Sequence, residues 1–186
     1  MTTELRTESI PAPLIVEALK DAFRWERPEG RPVTSPLGWV LTVPDTHQRS
    51  VLRLLTDDPD IRLLTCSTED EANAIAAGLS IGGEPVLMLI QHAGLYASVN
   101  TLRGVAMDGR VPSFYLIGLL GRQPGQELSD SRSSMVRYAE PLLETFGVPY
   151  ARLENADDLP RIAEYYRLSR EQMGPTAVLV GLETGE

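Results

Sequence analysis

Three short segments of this 186-residue chain place an ionisable or hydrogen-bonding side chain directly after an apolar run. They are Val43-Pro44-Asp45-Thr46, Thr65-Cys66-Ser67-Thr68-Glu69-Asp70-Glu71 and Gln91-His92-Ala93-Gly94-Leu95. Carboxylates and an imidazole so placed suit proton transfer. Cys66 and His92 also raise the possibility of a thiol nucleophile with its base, but such a nucleophile sits in a glycine-flanked elbow, whereas Cys66 lies between Thr65 and Ser67. Cys66 is the only cysteine, which excludes an intrachain disulfide, and the two histidines, His47 and His92, are too far apart in sequence for a metal motif. No metal ligands are therefore assigned. Lys20, the only lysine, is followed by Asp21, so the Gly-Lys-Ser/Thr phosphate loop is missing.

The elements that must position these groups follow from hydropathy. Near-continuous apolar runs at Gly38–Val43, Ile61–Cys66, Pro85–Gln91, Ser113–Leu120, Pro149–Leu153 and Thr176–Leu182 mark strands covered on both faces. Helical patterns separate them at Thr46–Thr56, Glu69–Ser80, Tyr96–Met107, Ser134–Phe146 and Leu159–Met173, with another at Pro13–Trp25 ahead of the first strand. This alternation predicts an α/β fold, a six-stranded mainly parallel sheet with helices on both faces, whose chemistry gathers at the carboxyl ends of the strands. Residues 1–186 are expected to form one domain, with 1–35 as an N-terminal helix and lead-in. The Gly-, Gln- and Ser-rich stretch Gly121–Ser133 reads either as a mobile active-site loop or as a solvated surface loop. Met107-Asp108-Gly109-Arg110 reads as a turn.

Charge narrows the function classes. Acidic residues number 26 against 17 basic, a net charge of -9 with no basic stripe, which removes the electrostatic footprint of a nucleic-acid binder. No apolar run approaches the roughly 20 residues of a bilayer span, and Met1–Ser9 has no apolar signal core, so a soluble, cytoplasmic protein without a membrane partner is expected.

At the second strand end, Thr68 and Glu71 form a capping box, and acidic residues in the first turn suit the positive end of a helix. On one account all three carboxylates are helix-start chemistry. On the other, Glu69 shares a face with Ala72 and Ala76, with Gly78 beyond, and projects alone from the strand end beside small residues.

The spacing Glu69-x-x-Ala72-x-x-x-Ala76-x-Gly78 resembles the pyrimidine-binding domain of thiamine diphosphate enzymes. Gln91-His92-Ala93-Gly94-Leu95-Tyr96-Ala97-Ser98-Val99-Asn100 is similar to the Gln-Asn-Ser-Gly-Leu-Gly-Asn-Ser-x-Asn segment of sulfopyruvate and phosphonopyruvate decarboxylases, and Val43-Pro44-Asp45-Thr46 to their Val-Pro-Asp-Ser. The resemblance spans about Gly38 to Leu182 and is nearest to the separate alpha subunit of sulfopyruvate decarboxylase.

That resemblance implies a role for each strand end. Glu69 would share a proton with the cofactor's aminopyrimidine, a task that burial at a subunit contact favours and the helix start opposes. Asp70 and Glu71 would remain structural. Pro44, Gly94, Leu95 and Asn100 would complete the cofactor contacts, and Asp45, Thr46, Gln91, His92 and Arg122 would be candidates for the substrate, a small anionic 2-oxo acid. The Gly-Asp-Gly segment with its downstream Asn, which in these enzymes holds the diphosphate through Mg²⁺, does not occur in this chain. A beta subunit would then supply that half, giving a hetero-oligomer with its site at the interface. The isolated chain is further expected to expose an apolar patch around Ala72, Ala76 and Leu95. His92, Ala93, Tyr96 and Ala97 depart from the family segment, so another 2-oxo acid, a carboligase or a non-catalytic regulatory subunit remain alternatives.

Overall fold

The computed structural model describes residues 9–26 and 36–185. The rest of the expected lead-in, residues 1–8 and 27–35, lies outside them. Among the described residues the strands are β1 Ile10–Pro11, β2 Gly38–Thr42, β3 Ile61–Thr65, β4 Val86–Gln91, β5 Ser113–Gly118, β6 Tyr150–Leu153, β7 Pro175–Val180 and β8 Thr184–Gly185, with helices between all but the last two. The helices are α1 Ala12–Glu26, α2 Arg49–Thr56, α3 Glu69–Ile81, α4 His92–Ala97, α5 Val99–Thr101, α6 Ser134–Arg137, α7 Ala139–Thr145 and α8 Pro160–Gln172.

Six strands form one sheet in the order β3-β2-β4-β5-β7-β6, every neighbouring pair parallel. Sheets of this kind must be covered on both faces, and the apolar side chains accordingly form two cores. One, under α1, α2 and α8, holds Phe23, Phe114 and Tyr166 with rings packed edge to face. The other lies under α3, α4 and α7. From β2 the chain steps first to β3 on one side, then returns to β4 on the other, so the direction of winding reverses between β2 and β4. A crevice opens at the carboxyl ends of strands at such a point.

Two predicted helices are broken. Ser98, whose hydroxyl donates to the Gly94 carbonyl, interrupts the expected Tyr96–Met107 helix, which continues as a π-helix over Leu102–Asp108. Residues 134–146 divide at Tyr138 into α6 and α7. The two-stranded β1–β8 pair was not foreseen; two residues are too short to show a period. Among the described residues, no helix is long and apolar enough to cross a membrane.

The expected apolar patch is not there. Ala72, Ala76 and Leu95 are turned into the core beneath α3 and α4, at 0%, 5% and 1% exposure. Ala72 and Ala76 let α3 approach the sheet of its own chain. Gly78, read as part of the same close face, looks outward, and a Cβ there would meet nothing within 4 Å.

Candidate functional site

The start of α3 separates the three acidic residues by what they bind. Thr68 caps the helix, its hydroxyl accepting from the Glu71 N–H at 3.2 Å, and Glu71 Oε2 accepts in return from the Ser67 N–H at 2.7 Å. Half of the expected capping box forms as read, Thr68 to Glu71, while the return bond from Glu71 goes one residue further back, to Ser67 rather than to the N–H of the cap itself. Asp70 Oδ1 accepts from the Thr101 hydroxyl at 2.6 Å, tying α3 to α5. The half-buried carboxyl of Glu69 forms no hydrogen bond or ion pair with any described residue.

The backbone that carries it is anchored, and the side chain itself packs over a glycine. Buried Asn73 donates to the Glu69 carbonyl at 3.1 Å and accepts from the Tyr115 hydroxyl of β5 at 2.5 Å, which anchors the first turn of α3 to the sheet. The Glu69 side chain lies across Gly94 in α4: a Cβ on that glycine would fall 2.5 Å from the Glu69 Cδ, and nearer still to its Cγ and Oε1. Only a residue without a side chain leaves room for the carboxyl there.

Beside it, a buried polar network bridges the ends of β2, β4 and β5. Asp45 Oδ1 accepts from the His47 N–H at 2.8 Å and from Gln91 Nε2 at 2.9 Å, and Oδ2 accepts from Gln48 Nε2 at 3.1 Å. The Asp45–Gln91 bond spans the point where winding reverses. Gly118 admits this network, since a Cβ there would lie 2.5 Å from Asp45 Oδ2. His47 meets the Val180 carbonyl through Nε2 at 2.9 Å, and His92 meets that of Leu120 at 3.0 Å. Burial lowers the pKa of both imidazoles, against an opposing pull from Asp45. His92 Nδ1 is buried and has no partner among the described residues.

The structure thus brings together Asp45, Gln91 and His92 in one cluster and seats Glu69 on Gly94. Other predicted residues lie elsewhere. Pro44 and Thr46 are exposed, Thr46 on the rim of a separate cavity. Leu95 is buried in the core. Asn100 is exposed, its side-chain oxygen accepting from Arg103 at 3.2 Å. Arg122 is already paired with Glu154 at 3.2 Å, and Gly181 leaves the space that Glu154 occupies.

Sequence reasoning passed over His47, Gln48 and Glu154. The polar run Asp45-Thr46-His47-Gln48 directly after an apolar strand was the available signal for the first two. The rival thiol reading fails on environment: Cys66 is 7% exposed, and burial together with Glu71 pushes its thiol pKa up, the reverse of what a nucleophile needs.

The 121–133 stretch is tied down rather than loose. Leu128 and Ser131 are buried, Arg137 donates to the Ser131 carbonyl at 2.9 Å, and Arg152 reaches both Glu127 and Glu140. Tyr96 on α4 secures the segment that follows by donating to the Met135 carbonyl at 2.8 Å; burial raises its phenol to about 12. Residues 109–110 make the expected turn, with Arg110 at φ 52°.

An all-parallel α/β fold, with an unpaired carboxyl and a histidine-bearing polar network near its winding reversal, belongs to the class of open sheets whose crevice lies at the strand ends. Within that class the chain is a distant homologue of the sulfopyruvate decarboxylase alpha subunits and phosphonopyruvate decarboxylases. It is 27% identical over 147 residues to sulfopyruvate decarboxylase subunit alpha of Methanococcus maripaludis, covering 78% of this chain and 87% of that one. For the subunit from Methanocaldococcus jannaschii the identity is 23%, over 70% of this chain and 76% of the other. Phosphonopyruvate decarboxylase of Streptomyces viridochromogenes is 28% identical over 119 residues, 64% of this chain but 30% of that longer protein. No family model matches the chain.

Proposed function

We propose that the chain is the alpha subunit of a two-chain, cytoplasmic, thiamine diphosphate-dependent decarboxylase of a small anionic 2-oxo acid. One observation carries the reading. Of three consecutive acidic residues at a helix start, Asp70 and Glu71 are consumed by structure, while the Glu69 carboxyl lies over Gly94 without a partner. A half-buried carboxyl kept clear over a glycine fits a ring nitrogen that must receive a hydrogen bond. Thiamine diphosphate, when bound, supplies a nucleophilic carbon and an electron sink. Glu69 contributes a proton held at its carboxyl against the aminopyrimidine, with the surroundings of Gly94 as the floor beneath it.

The same environment supports roles for its neighbours. Asp45, fully engaged by three donors, orients Gln91 across the crevice. The free Nδ1 of His92 is suited to the substrate or to a proton in transit. Arg122, committed to Glu154, is the weaker of the substrate candidates, and Pro44, Leu95 and Asn100 would touch the cofactor chiefly through backbone or after rearrangement. Mg²⁺ and the diphosphate fall to a beta subunit, a partner supported by the names of the alpha-subunit relatives.

The test is reconstitution. The chain alone is inactive; mixed with a beta chain carrying the diphosphate-binding domain, thiamine diphosphate and Mg²⁺, it releases CO2 from sulfopyruvate, phosphonopyruvate or a related 2-oxo acid. Glu69→Gln abolishes nearly all of that activity with assembly intact. Full activity in the Gln variant would refute the assignment.

A further inference from the structure

On the opposite face of the sheet from Glu69 and Gly94, a cavity of about 640 Å³ lies between α1, α2 and the C-terminal β8. That volume is ordinary for a small-molecule site. Two arginines of α2, Arg49 and Arg53, line it one helical turn apart, with Thr46, the apolar Pro13 and Leu54, and Glu183 just ahead of β8 also on its lining.

Nothing in the helix calls for this arrangement. Arg49 occupies the first position of α2, where the backbone dipole disfavours a cation, and the first turn contains no acidic residue to offset it. Like charges at i and i+4 repel, and only Arg53 of the two has a partner in the fold. The exposed guanidinium of Arg49 forms no hydrogen bond or ion pair with any described residue. In a chain of net charge -9, an unpaired arginine beside a second one, at a helix start and on a cavity wall, favours an anion in that cavity.

We infer that this cavity is a second binding site, for a small molecule bearing an oxyanion such as a phosphate or carboxylate, gripped by Arg49 and Arg53. The Thr46 hydroxyl adds a donor, and Glu183 favours ligands that also present a hydroxyl or ammonium group. Ser50 does not take part, its hydroxyl lying 2.6 Å from that of Thr184.

The inference is tested on the full chain by thermal-shift and calorimetric titration with inorganic phosphate and with pyrophosphate, at low salt. At least one of the two binds saturably and raises the melting temperature. Arg49→Ala, which melts normally without ligand, and Arg53→Ala each weaken that binding about tenfold or more, the loss of a charge-assisted contact. Absence of saturable binding by either anion, or an Arg49→Ala, Arg53→Ala double variant that binds as tightly as the parent, would overturn it. Neither measurement involves Glu69, the beta chain or thiamine diphosphate, so a failure here leaves the proposed decarboxylase function standing, and the reverse holds too.

Discussion

Replacing Gly94 by Ala separates the position of the Glu69 carboxyl from the stability of the fold. The added methyl would lie 2.5 Å from Glu69 Cδ, where real side-chain carbons do not approach, so the carboxyl must withdraw by roughly 1 Å to reach ordinary contact. The Glu69 side chain is half-buried and unpaired, hence it can swing outward at little cost to folding. Ala in place of Gly within a helix gains up to about 1 kcal/mol. The melting temperature of Gly94→Ala therefore stays level or rises. Catalysis responds differently, because a misplacement of about 1 Å costs on the order of 100-fold, or about 2.7 kcal/mol of barrier. The assay is CO2 release by the reconstituted complex at saturating cofactor, alongside calorimetric unfolding of the lone chain. A Gly94→Ala complex that keeps parental kcat would show that the carboxyl over Gly94 is not the working group, and a sharp loss of stability would show that the close approach is structural.

Three further outcomes follow from the same geometry. Tyr115→Phe removes the hydroxyl that Asn73 accepts from and leaves that buried amide short of a partner, at a cost of about 1–3 kcal/mol; unfolding calorimetry should show a fall of about 2–4 °C for each kcal/mol, together with a lower kcat in the complex. Gly118→Ala drives a methyl against Oδ2 of Asp45, a carboxylate whose two oxygens together accept from three donors, and should cost about 1–3 kcal/mol in denaturant titration because this carboxylate, unlike Glu69, cannot swing away. Since burial depresses the pKa of His47 and His92 below the ordinary 6.5, the unfolded chain binds protons that the folded chain refuses, so stability is fully present above that value and is lost as pH falls below it. Urea midpoints measured between pH 8 and pH 5.5 should decline on the acid side, less steeply in His47→Gln; a flat profile would contradict the buried neutral state.

The strands were legible because a parallel sheet covered on both faces writes each strand as an apolar run: Ile61–Cys66 and Pro85–Gln91 differ from the observed Ile61–Thr65 and Val86–Gln91 by one residue. The Thr68 cap was legible for a local reason, as its bond to the Glu71 N–H and the return bond from Glu71 to Ser67 both close within five residues. What escaped depends on distant partners. Nothing near Ala72 or Leu95 says whether a small apolar face meets its own sheet or another chain, and the structure turns it inward. The π-helix arises where Ser98 bonds back to Gly94, a competition that periodicity does not reveal. Arg122 looked free because Glu154 lies 32 residues away, on a strand end that only the sheet order brings beside it.

On the proposed function, Glu69 gives the aminopyrimidine ring the proton it needs. Hydrogen–deuterium exchange at the thiazolium carbon of thiamine diphosphate bound in the assembled complex reads that step without any substrate. Exchange is predicted to slow by about 100-fold or more in Glu69→Gln, the scale of a lost general acid–base group, with cofactor affinity nearly unchanged. Equal exchange rates in the parent and Gln complexes would contradict the account.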